Sequence, residues 1–206
     1  MASRPQCAAC LRPQSTCICS LVTPTPHASD VLILQHPLEA HHAKNSARLL
    51  HLSLPHSRLV VGEAFDHAAL GALLVEPRYT VLLYPPTAHA GHATPAPLDA
   101  VQLQDPARVR LVVLDATWRK SRKMLHLSPA LQRLPRLSRL SLVDAPASDY
   151  VIRKAHKPGQ ISTLEATCAA LAQLEGGPEK FAPLLRAFKG FVAQQLALRP
   201  PQSIHA

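Results

Sequence analysis

The chain has 206 residues and 47% of them are hydrophobic, so it is long enough for one domain with a full core and a small appendage. A formal charge of +9 and an isoelectric point near 9.8 favour a polyanionic partner, the alternative being a basic surface with no specific ligand. No apolar run is long enough to span a membrane and the N-terminus lacks a signal-peptide core, which predicts a cytoplasmic protein that does not bind membranes.

Four of the five cysteines lie in residues 1–27, which we interpret as a small separate arm. They form two close pairs, Cys7 with Cys10 and Cys17 with Cys19, and six residues separate the pairs. Two close pairs can converge on one tetrahedral ion, and thiolates are preferred ligands of structural Zn²⁺. The spacing therefore predicts a zinc-binding arm. Iron at the same ligands, a disulfide pair and four unrelated thiols are the alternatives.

The apolar run at residues 31–34 predicts a short buried strand at residues 30–35, and polar side chains follow where this strand ends. They are Gln35, His36, Glu39, His41, His42, Lys44, Asn45 and Ser46. The histidines could suggest a second metal site, but their spacing matches no ligand pattern. Solvated histidines, or histidines that face a nucleic acid, are the better interpretation.

Further apolar segments predict helices at residues 47–52 and 65–74 and strands at residues 58–63 and 79–84. Prolines follow the last of these strands and end it, because proline cannot extend the hydrogen-bond ladder. Residues 89–106 are rich in Ala, Pro and His, which predicts a long surface loop.

The strand predicted at residues 111–114 is followed at once by the best candidate for a functional site. Asp115, Thr117 and the only tryptophan of the chain, Trp118, come directly after the apolar run. Four cations follow within five positions: Arg119, Lys120, Arg122 and Lys123. Ligands of open α/β sheets bind beyond the carboxyl ends of the strands, so an acid at this junction is well placed for chemistry.

Positive charge is concentrated around this candidate site, since ten of the 22 Lys and Arg residues lie between residues 118 and 158. Residues 118–127 predict a helix that carries its cations on one side. Residues 131–140 alternate Leu with Arg and Pro and have no clear conformation, and residues 141–143 are a weak strand candidate.

Two helices are predicted near the C-terminus. Ser162 or Thr163 can cap the first, Glu165 lies in its first turn, and the Gly-Gly-Pro sequence at residues 176–178 ends it. A final amphipathic helix is predicted at residues 181–198, followed by a disordered tail at residues 200–206.

Strands that alternate with helices indicate an α/β fold with a mostly parallel sheet and flanking helices, in a domain at residues 28–199. The chain has seven glycines and contains neither a Gly-x-Gly-x-x-Gly sequence nor a Walker phosphate loop. These absences argue against a Rossmann nucleotide site.

Three blocks of residues together resemble the DTW-domain family, the tRNA-uridine aminocarboxypropyltransferases. They are Gln35-His36-Pro37-x-Glu39 with Asn45-Ser46, then Asp115-Ala116-Thr117-Trp118, then Tyr150-x-Ile152-Arg153-Lys154 leading into Ser162-Thr163-Leu164-Glu165-Ala166. The cysteine arrangement also looks like the bacterial branch of the family, and the similarity covers roughly residues 7–198.

The resemblance implies transfer of the 3-amino-3-carboxypropyl group of S-adenosylmethionine to N3 of a tRNA uridine, with release of methylthioadenosine. It also implies a fold related to the SPOUT methyltransferases, with a C-terminal trefoil knot whose loops hold the donor. The partner is then tRNA, no protein partner is evident, and the protein is a monomer or a homodimer. The alternatives are a SPOUT-like RNA methyltransferase that uses S-adenosylmethionine and a non-catalytic, zinc-containing RNA-binding protein.

The same resemblance assigns roles to residues. Asp115 is expected to be the general base that takes the N3 proton, or instead the group that binds the donor's amino group. Thr117 belongs to the catalytic set or only caps the next helix, and Trp118 stacks on a base or is a core aromatic. The expected donor-binding positions are Leu83, Tyr84, Pro85, Asp115, Ile152, Ser162, Thr163 and Glu165. The expected phosphate contacts are Arg119, Lys120, Arg122, Lys123, Arg153, Lys154 and Lys157.

Overall fold

The structure, a computed structural model, describes residues 5–85, 92–138 and 161–198. Its centre is a parallel sheet of five strands: β1 (Asp30–Gln35), β2 (Ser57–Val61), β3 (Tyr79–Leu83), β4 (Val109–Asp115) and β5 (Arg136–Leu137). The strands lie in the order β2-β1-β4-β3-β5. Parallel strands end at the same edge of the sheet, so the residues that follow β1, β3 and β4 are brought near one another. The predicted α/β fold with a parallel sheet is confirmed.

Helices cover both faces of this sheet. Within the described residues they are α1 (Pro37–Ala40), α2 (Ala47–Ser53), α3 (His67–Leu73), α4 (Trp118–His126), α5 (Pro129–Arg133), α6 (Thr163–Glu175) and α7 (Pro178–Ala197). Val31 and Ile33 of β1 pack in one core layer with α2, α6 and α7. Leu32 and Leu34 pack in the other layer with α3, α4 and α5. A strand buried on both faces explains why its sequence is a continuous apolar run.

Strand β1 has its predicted bounds, whereas β4 is longer than the predicted segment 111–114. Strand β4 pairs with β1 from Arg110 through Asp115, so the ladder extends beyond the apolar run at both ends. Arg110 lies outside the predicted strand because it is charged. It is nevertheless buried and forms an ion pair with Asp30 of the neighbouring strand. Asp115 is therefore the last residue of the strand and not the first residue of the loop.

Several other boundaries differ from the sequence prediction. The segment predicted at 131–140 contains the end of α5 and the edge strand β5, and residues 139–143, including the weak strand candidate, lie outside the described residues. The short helix α1 was not predicted; it begins with a proline in its first turn. The predicted loop at 89–106 contains single 3-10 turns at Gln102–Gln104 and, at its end, Pro106–Arg108. Strand β2 ends two residues before its predicted end.

Helix α6 begins and ends as its sequence suggests. Ser162 and Glu165 form a capping box, in which each side chain accepts a hydrogen bond from the other residue's backbone N–H. Gly176 ends the helix in a left-handed conformation with φ of 67°, which glycine adopts without a steric penalty. Helix α7 begins at Pro178, three residues before the predicted start, since proline is favoured in the first turn.

The cysteine arm packs directly on the main core. Ile18 is fully buried and belongs to the same apolar layer as Phe188 and Phe191 of α7. Gln194 of α7 donates a hydrogen bond from Nε2 to the carbonyl oxygen of Cys17 at 3.0 Å. The Leu21 side chain approaches α7 at Gly190, where an added Cβ would lie only 3.1 Å from Leu21 Cδ2. The arm and α7 therefore share one interface.

Three predictions are not tested by the described residues. The knot implied by the family resemblance involves the C-terminal part of the sheet, where residues 139–160 are not described. The boundaries at residues 27 and 199 and the disordered tail likewise stay predictions. Across the described ranges, no helix combines the length and apolar character that crossing a membrane would require.

Candidate active site

The site is built where β1 and β4 end side by side. Gln35 and Asp115 are the last residues of the two strands and are partners in the parallel register. Asp115 is 4% exposed, and its backbone carbonyl accepts a hydrogen bond of 3.1 Å from the N–H of His36. The sheet therefore brings two polar side chains from residues 80 positions apart into one buried place.

Two amide groups hold the Asp115 carboxylate. Gln35 Nε2 donates to Oδ2 at 2.9 Å, and Asn45 Nδ2 donates to the same oxygen at 2.6 Å. Asn45 is itself fixed, because its Oδ1 accepts from Gln35 Nε2 at 3.1 Å and from the N–H of Ala47 at 2.9 Å. Within the described part of the chain, Oδ1 of Asp115 makes no hydrogen bond, so this oxygen is the one left for a ligand.

A large cavity lies next to this carboxylate and carries most of the predicted cations. Its volume is about 680 Å³, and it is lined by His36, Leu38, Glu63, His92, Thr117, Arg119, Lys120, Arg122, Lys123 and His126. We call it the basic cavity. Thr117, two residues after Asp115, lines it, whereas Asp115 does not. The carboxylate is thus less open than its predicted place at the strand exit suggested, because β4 continues through it.

Among the residues that the structure describes, two of the four cations in helix α4 form ion pairs and two do not. Lys120 Nζ lies 2.9 Å from Oε1 of Glu39, whose side chain is 2% exposed. Lys123 Nζ lies 2.9 Å from Oε1 of Glu63. Arg119 and Arg122 are exposed and form no ion pair with any described residue. These two guanidinium groups are available to bind an anion in the cavity.

Glu63 joins Lys123 to a histidine. His36 Nδ1 accepts a hydrogen bond from the N–H of Leu38 at 3.1 Å, which leaves Nε2 to carry the proton and donate to Glu63 Oε1 at 3.1 Å. The hydrogen bond from Lys123, and after it that from His36, hold the pKa of the Glu63 carboxyl below its ordinary value. Glu63 is therefore a charged member of the cavity wall.

Trp118 is half exposed at 49% and is not a core residue. Its ring meets Tyr84 edge to face with 6.0 Å between centroids, and the guanidinium of Arg136 lies 5.3 Å from the Tyr84 ring centroid. Burial raises the pKa of the Tyr84 hydroxyl. Trp118 thus presents an aromatic face to solvent beside the basic cavity and packs against the buried ring of Tyr84.

The other predicted site residues have different surroundings. Leu83 ends β3, with Tyr84 and Pro85 directly after it at the same edge of the sheet as Asp115. Thr117 precedes α4 and makes no side-chain capping bond, so its exposed hydroxyl is not used by the helix. Ser162 and Glu165 cap each other, with Thr163 between them at the start of α6. Ile152, Arg153, Lys154 and Lys157 lie outside the described residues.

Four polar residues have roles in the site that their sequence positions did not predict: Gln35, Glu39, Asn45 and Glu63. The first three stand in the crowded exit of β1, but spacing alone does not say which of them turns inward. For Gln35 alone there was a signal: two apolar strands that both end in a polar residue pair in a parallel sheet, which places Gln35 beside Asp115. Glu63 follows an edge strand and has no such signal.

The four N-terminal cysteines come together within the cysteine arm. Their Sγ atoms all lie within 4.8 Å of one another, with Cys7 and Cys19 3.5 Å apart and Cys10 and Cys17 3.8 Å apart. A tetrahedral ion with Zn–S bonds of about 2.3 Å requires sulfurs separated by about 3.8 Å. All four are free thiols rather than disulfides. The donor set and its spacing therefore fit a tetrahedral metal ion.

Comparisons with known proteins give a consistent result. The profile of the DTW domain matches residues 4–196. A Drosophila melanogaster protein named tRNA-uridine aminocarboxypropyltransferase 2 is 34% identical over 94% of this chain and 76% of its own length. The Mus musculus protein of that name is 30% identical over 98% of this chain and 62% of its own length. The Arabidopsis thaliana tRNA-uridine aminocarboxypropyltransferase A is 28% identical over 84% of this chain and 74% of its own length. No solved structure matches the chain significantly.

Proposed function

The chain belongs to the DTW-domain family, and from this membership we propose that it is a tRNA-uridine aminocarboxypropyltransferase. The proposed reaction transfers the 3-amino-3-carboxypropyl group of S-adenosylmethionine to N3 of a tRNA uridine. The observation that carries the proposal is similarity to proteins of that name over most of the chain. A basic cavity beside a fixed carboxylate supports it, since an RNA substrate and a cationic donor need these two features.

The reaction requires the loss of one proton and the exchange of one bond. Uracil N3 carries a proton at neutral pH and becomes a good nucleophile only when that proton leaves. S-adenosylmethionine supplies a carbon that is activated by the adjacent sulfonium. The N3–C bond forms, the C–S bond breaks, and its electron pair goes to sulfur, which leaves neutral methylthioadenosine. Which carbon meets N3 depends on how the donor is oriented.

Asp115 has two possible roles in this scheme, and they differ in what its carboxylate touches. As general base it receives the N3 proton; as an orienting group it binds the donor's ammonium group, and the N3 proton passes to solvent water. Its burial, and its two amide partners on Oδ2, support the orienting role, since a small ammonium group reaches a recessed oxygen more easily than a nucleobase does. Asp115→Asn separates the roles: weaker donor binding indicates orientation, whereas unchanged donor binding with lost turnover indicates a base.

The basic cavity is the proposed RNA surface. Arg119, Lys120, Arg122 and Lys123 would neutralise backbone phosphates, together with Arg153, Lys154 and Lys157 from outside the described residues. Trp118 offers an exposed face on which an unpaired base can stack. Because side chains reach bases most readily where they are unpaired, we propose a uridine in a tRNA loop as the target.

The donor-binding positions remain those that the family resemblance implies. Leu83, Tyr84 and Pro85 would contribute from the end of β3, and Ser162, Thr163 and Glu165 from the start of α6, with Ile152 outside the described residues. At the cysteine arm we propose Zn²⁺ bound by Cys7, Cys10, Cys17 and Cys19 in a structural role, because four thiolates leave no open coordination position. Metal analysis of the purified chain tests the identity and stoichiometry of this ion.

Product analysis tests the proposed reaction against its rivals. The protein is incubated with tRNA and S-adenosylmethionine, and the small-molecule product is identified by mass. We expect methylthioadenosine together with 3-(3-amino-3-carboxypropyl)uridine in the digested tRNA. Release of S-adenosylhomocysteine would instead identify an RNA methyltransferase. tRNA binding without either product would identify a non-catalytic RNA-binding protein.

A further inference from the structure

Arg12 connects the cysteine arm to the segment that carries Asn45. Its Nη1 donates to the carbonyl oxygen of Ala43 at 2.7 Å, and its Nη2 donates to that of Asn45 at 2.8 Å. The two acceptors lie more than 30 positions away in the chain. Two donors on one planar guanidinium fix both the position and the direction of the acceptors, which a single ammonium group cannot do.

The position of Arg12 is determined by the arm and by helix α7. Its backbone carbonyl accepts a hydrogen bond of 2.8 Å from the N–H of Cys7, and Cys7 in turn accepts from the N–H of Leu11 at 2.9 Å. The guanidinium carbon lies 5.0 Å from the ring centroid of the buried Phe191, in cation–π distance. The turn that presents Cys7 and Cys10 therefore also places the Arg12 side chain.

Asn45 links Arg12 to the buried carboxylate. Its backbone oxygen is held by Arg12, while its side-chain Nδ2 donates to Asp115 Oδ2 at 2.6 Å. Its Oδ1 accepts from the N–H of Ala47 and so ties the same residue to the start of α2. A change in the Asn45 backbone would move a donor that directly holds Asp115.

We propose that Arg12 is a positioning residue for Asp115, and that through it metal binding by the four cysteines orders the segment at residues 43–45. The effect on turnover rests on the proposed function, in which Asp115 acts in the reaction. The structural coupling between the cysteines and Asn45 does not depend on it. Coupling between two sites is reciprocal, so substitution of Arg12 also weakens metal binding.

Hydrogen exchange tests the coupling in the full chain without tRNA or S-adenosylmethionine. The amides of Asn45 and Ala47 are the probes, because they donate to the His42 carbonyl at 2.9 Å and to the Asn45 side chain at 2.9 Å. Their exchange is measured by NMR in the wild type and in Arg12→Ala, each with zinc bound and after chelation. Arg12→Lys keeps the positive charge but replaces the guanidinium, which donates from two nitrogens, with a single ammonium group. Arg58→Ala is the control, since Arg58 pairs with Asp30 at the amino end of the sheet.

We expect exchange at both amides to be about tenfold faster in Arg12→Ala than in the wild type. Removing zinc from the wild type should give a similar increase. Removing zinc from the variant should give no further increase. Arg12→Lys should show an intermediate rate, and Arg58→Ala the wild-type rate. Unchanged exchange in Arg12→Ala, or an equal effect of chelation in variant and wild type, would overturn it. If Arg12→Ala does not fold, wild-type exchange in Arg12→Lys overturns it and faster exchange supports it.

Kinetics add a second readout. Arg12→Ala should lower kcat while the Kd for tRNA changes less than twofold, because Arg12 does not line the basic cavity. A proportional loss of tRNA binding would contradict a positioning role. If the wild type forms no aminocarboxypropyluridine, the proposed function fails, whereas the exchange experiment still decides whether the arm orders Asn45.

Discussion

Asn45 and Asp115 are 70 positions apart in the chain, yet Asn45 Nδ2 donates a 2.6 Å hydrogen bond to Asp115 Oδ2. Both side chains are buried, and Gln35 donates to each of them. The three residues form one hydrogen-bonded cluster, in which each side-chain amide nitrogen donates to an oxygen of another member. An arrangement of this kind fixes one orientation of the carboxylate and costs free energy if any member is removed.

Asn45→Ala should remove that fixation. The loss of a buried donor leaves Asp115 Oδ2 with Gln35 alone, so we expect the free energy of unfolding to fall by about 1–3 kcal/mol. The turnover number should fall by about 100-fold, because a reacting group that is displaced by a small distance loses much of its effect on the rate. Urea unfolding and steady-state kinetics measure the two effects. His41→Ala, an exposed neighbour, is the matched control. Full turnover in Asn45→Ala would show that Asp115 needs no orientation.

Charge reversal at Arg122 should weaken tRNA binding in a salt-dependent way. Arg122 lines the basic cavity and forms no ion pair with a described residue, so its charge is available to a phosphate. We expect Arg122→Glu to raise the Kd for tRNA and to reduce the slope of log Kd against log salt by about one. Arg186→Glu makes the same charge change on an exposed position of α7, outside the cavity lining. Equal weakening by both variants would indicate a general charge effect and no phosphate contact at Arg122.

Trp118→Ala should affect activity far more than stability. Half of the side chain is exposed, so its removal is expected to change the free energy of unfolding by about 0.5 kcal/mol. If it stacks on a base, kcat/KM should fall about 10-fold to 100-fold, equivalent to about 1–3 kcal/mol. Trp118→Phe keeps an aromatic face and should recover much of the activity. The opposite pattern, lost stability with intact kcat/KM, would assign Trp118 a packing role.

Glu175 should make stability depend on acid pH. Its side chain is 3% exposed, and burial raises its pKa, but the hydrogen bonds from Lys180 and from the N–H groups of Ser29 and Ala28 outweigh burial and lower it below the ordinary 4.5. A carboxyl whose folded-state pKa is lowered stabilises the fold above its unfolded pKa, and this contribution is lost as the pH falls through the folded value.

Thermal unfolding of Glu175→Gln measures this contribution. At pH 7 the variant should be less stable by about 2 kcal/mol, because hydrogen bonds to a charged acceptor are replaced by weaker ones. The difference from the wild type should shrink progressively as the pH falls below about 4.5. Glu179→Gln, an exposed neighbour in the first turn of α7, should change stability little at any pH. A difference that stays constant down to low pH would mean that the charge of Glu175 does not stabilise the fold.

The elements that could be predicted from sequence were those whose local pattern agrees with their environment. Residues 31–34 are apolar because β1 is buried on both faces, and Ser162 with Glu165 caps α6 because the capping box is a local interaction. The end of β4 could not be predicted in this way. Arg110 and Asp115 are polar, and they belong to the strand because they pair with neighbouring strands: Arg110 with both β1 and β3, and Asp115 with β1.

The candidate site shows the same division. Asp115 and the cations of α4 are contiguous in sequence, and the four cysteines have a recognisable spacing. The partners of Asp115 are Gln35, from another strand, and Asn45, from the segment before α2, so no local sequence pattern predicts these contacts. Arg12 is an isolated arginine in the sequence. Its contacts with Ala43 and Asn45 follow from how the arm folds against α7.

Aminocarboxypropyl transfer is tested most directly by nucleoside analysis of tRNA from a host that lacks the gene. The gene is restored as the wild type or as Asp115→Asn, and the tRNA is digested and analysed by mass. We expect 3-(3-amino-3-carboxypropyl)uridine to be absent in the deletion, restored by the wild type, and missing with Asp115→Asn at equal protein level. The modified nucleoside persisting in the deletion, or full restoration by Asp115→Asn, would contradict transfer at this carboxylate.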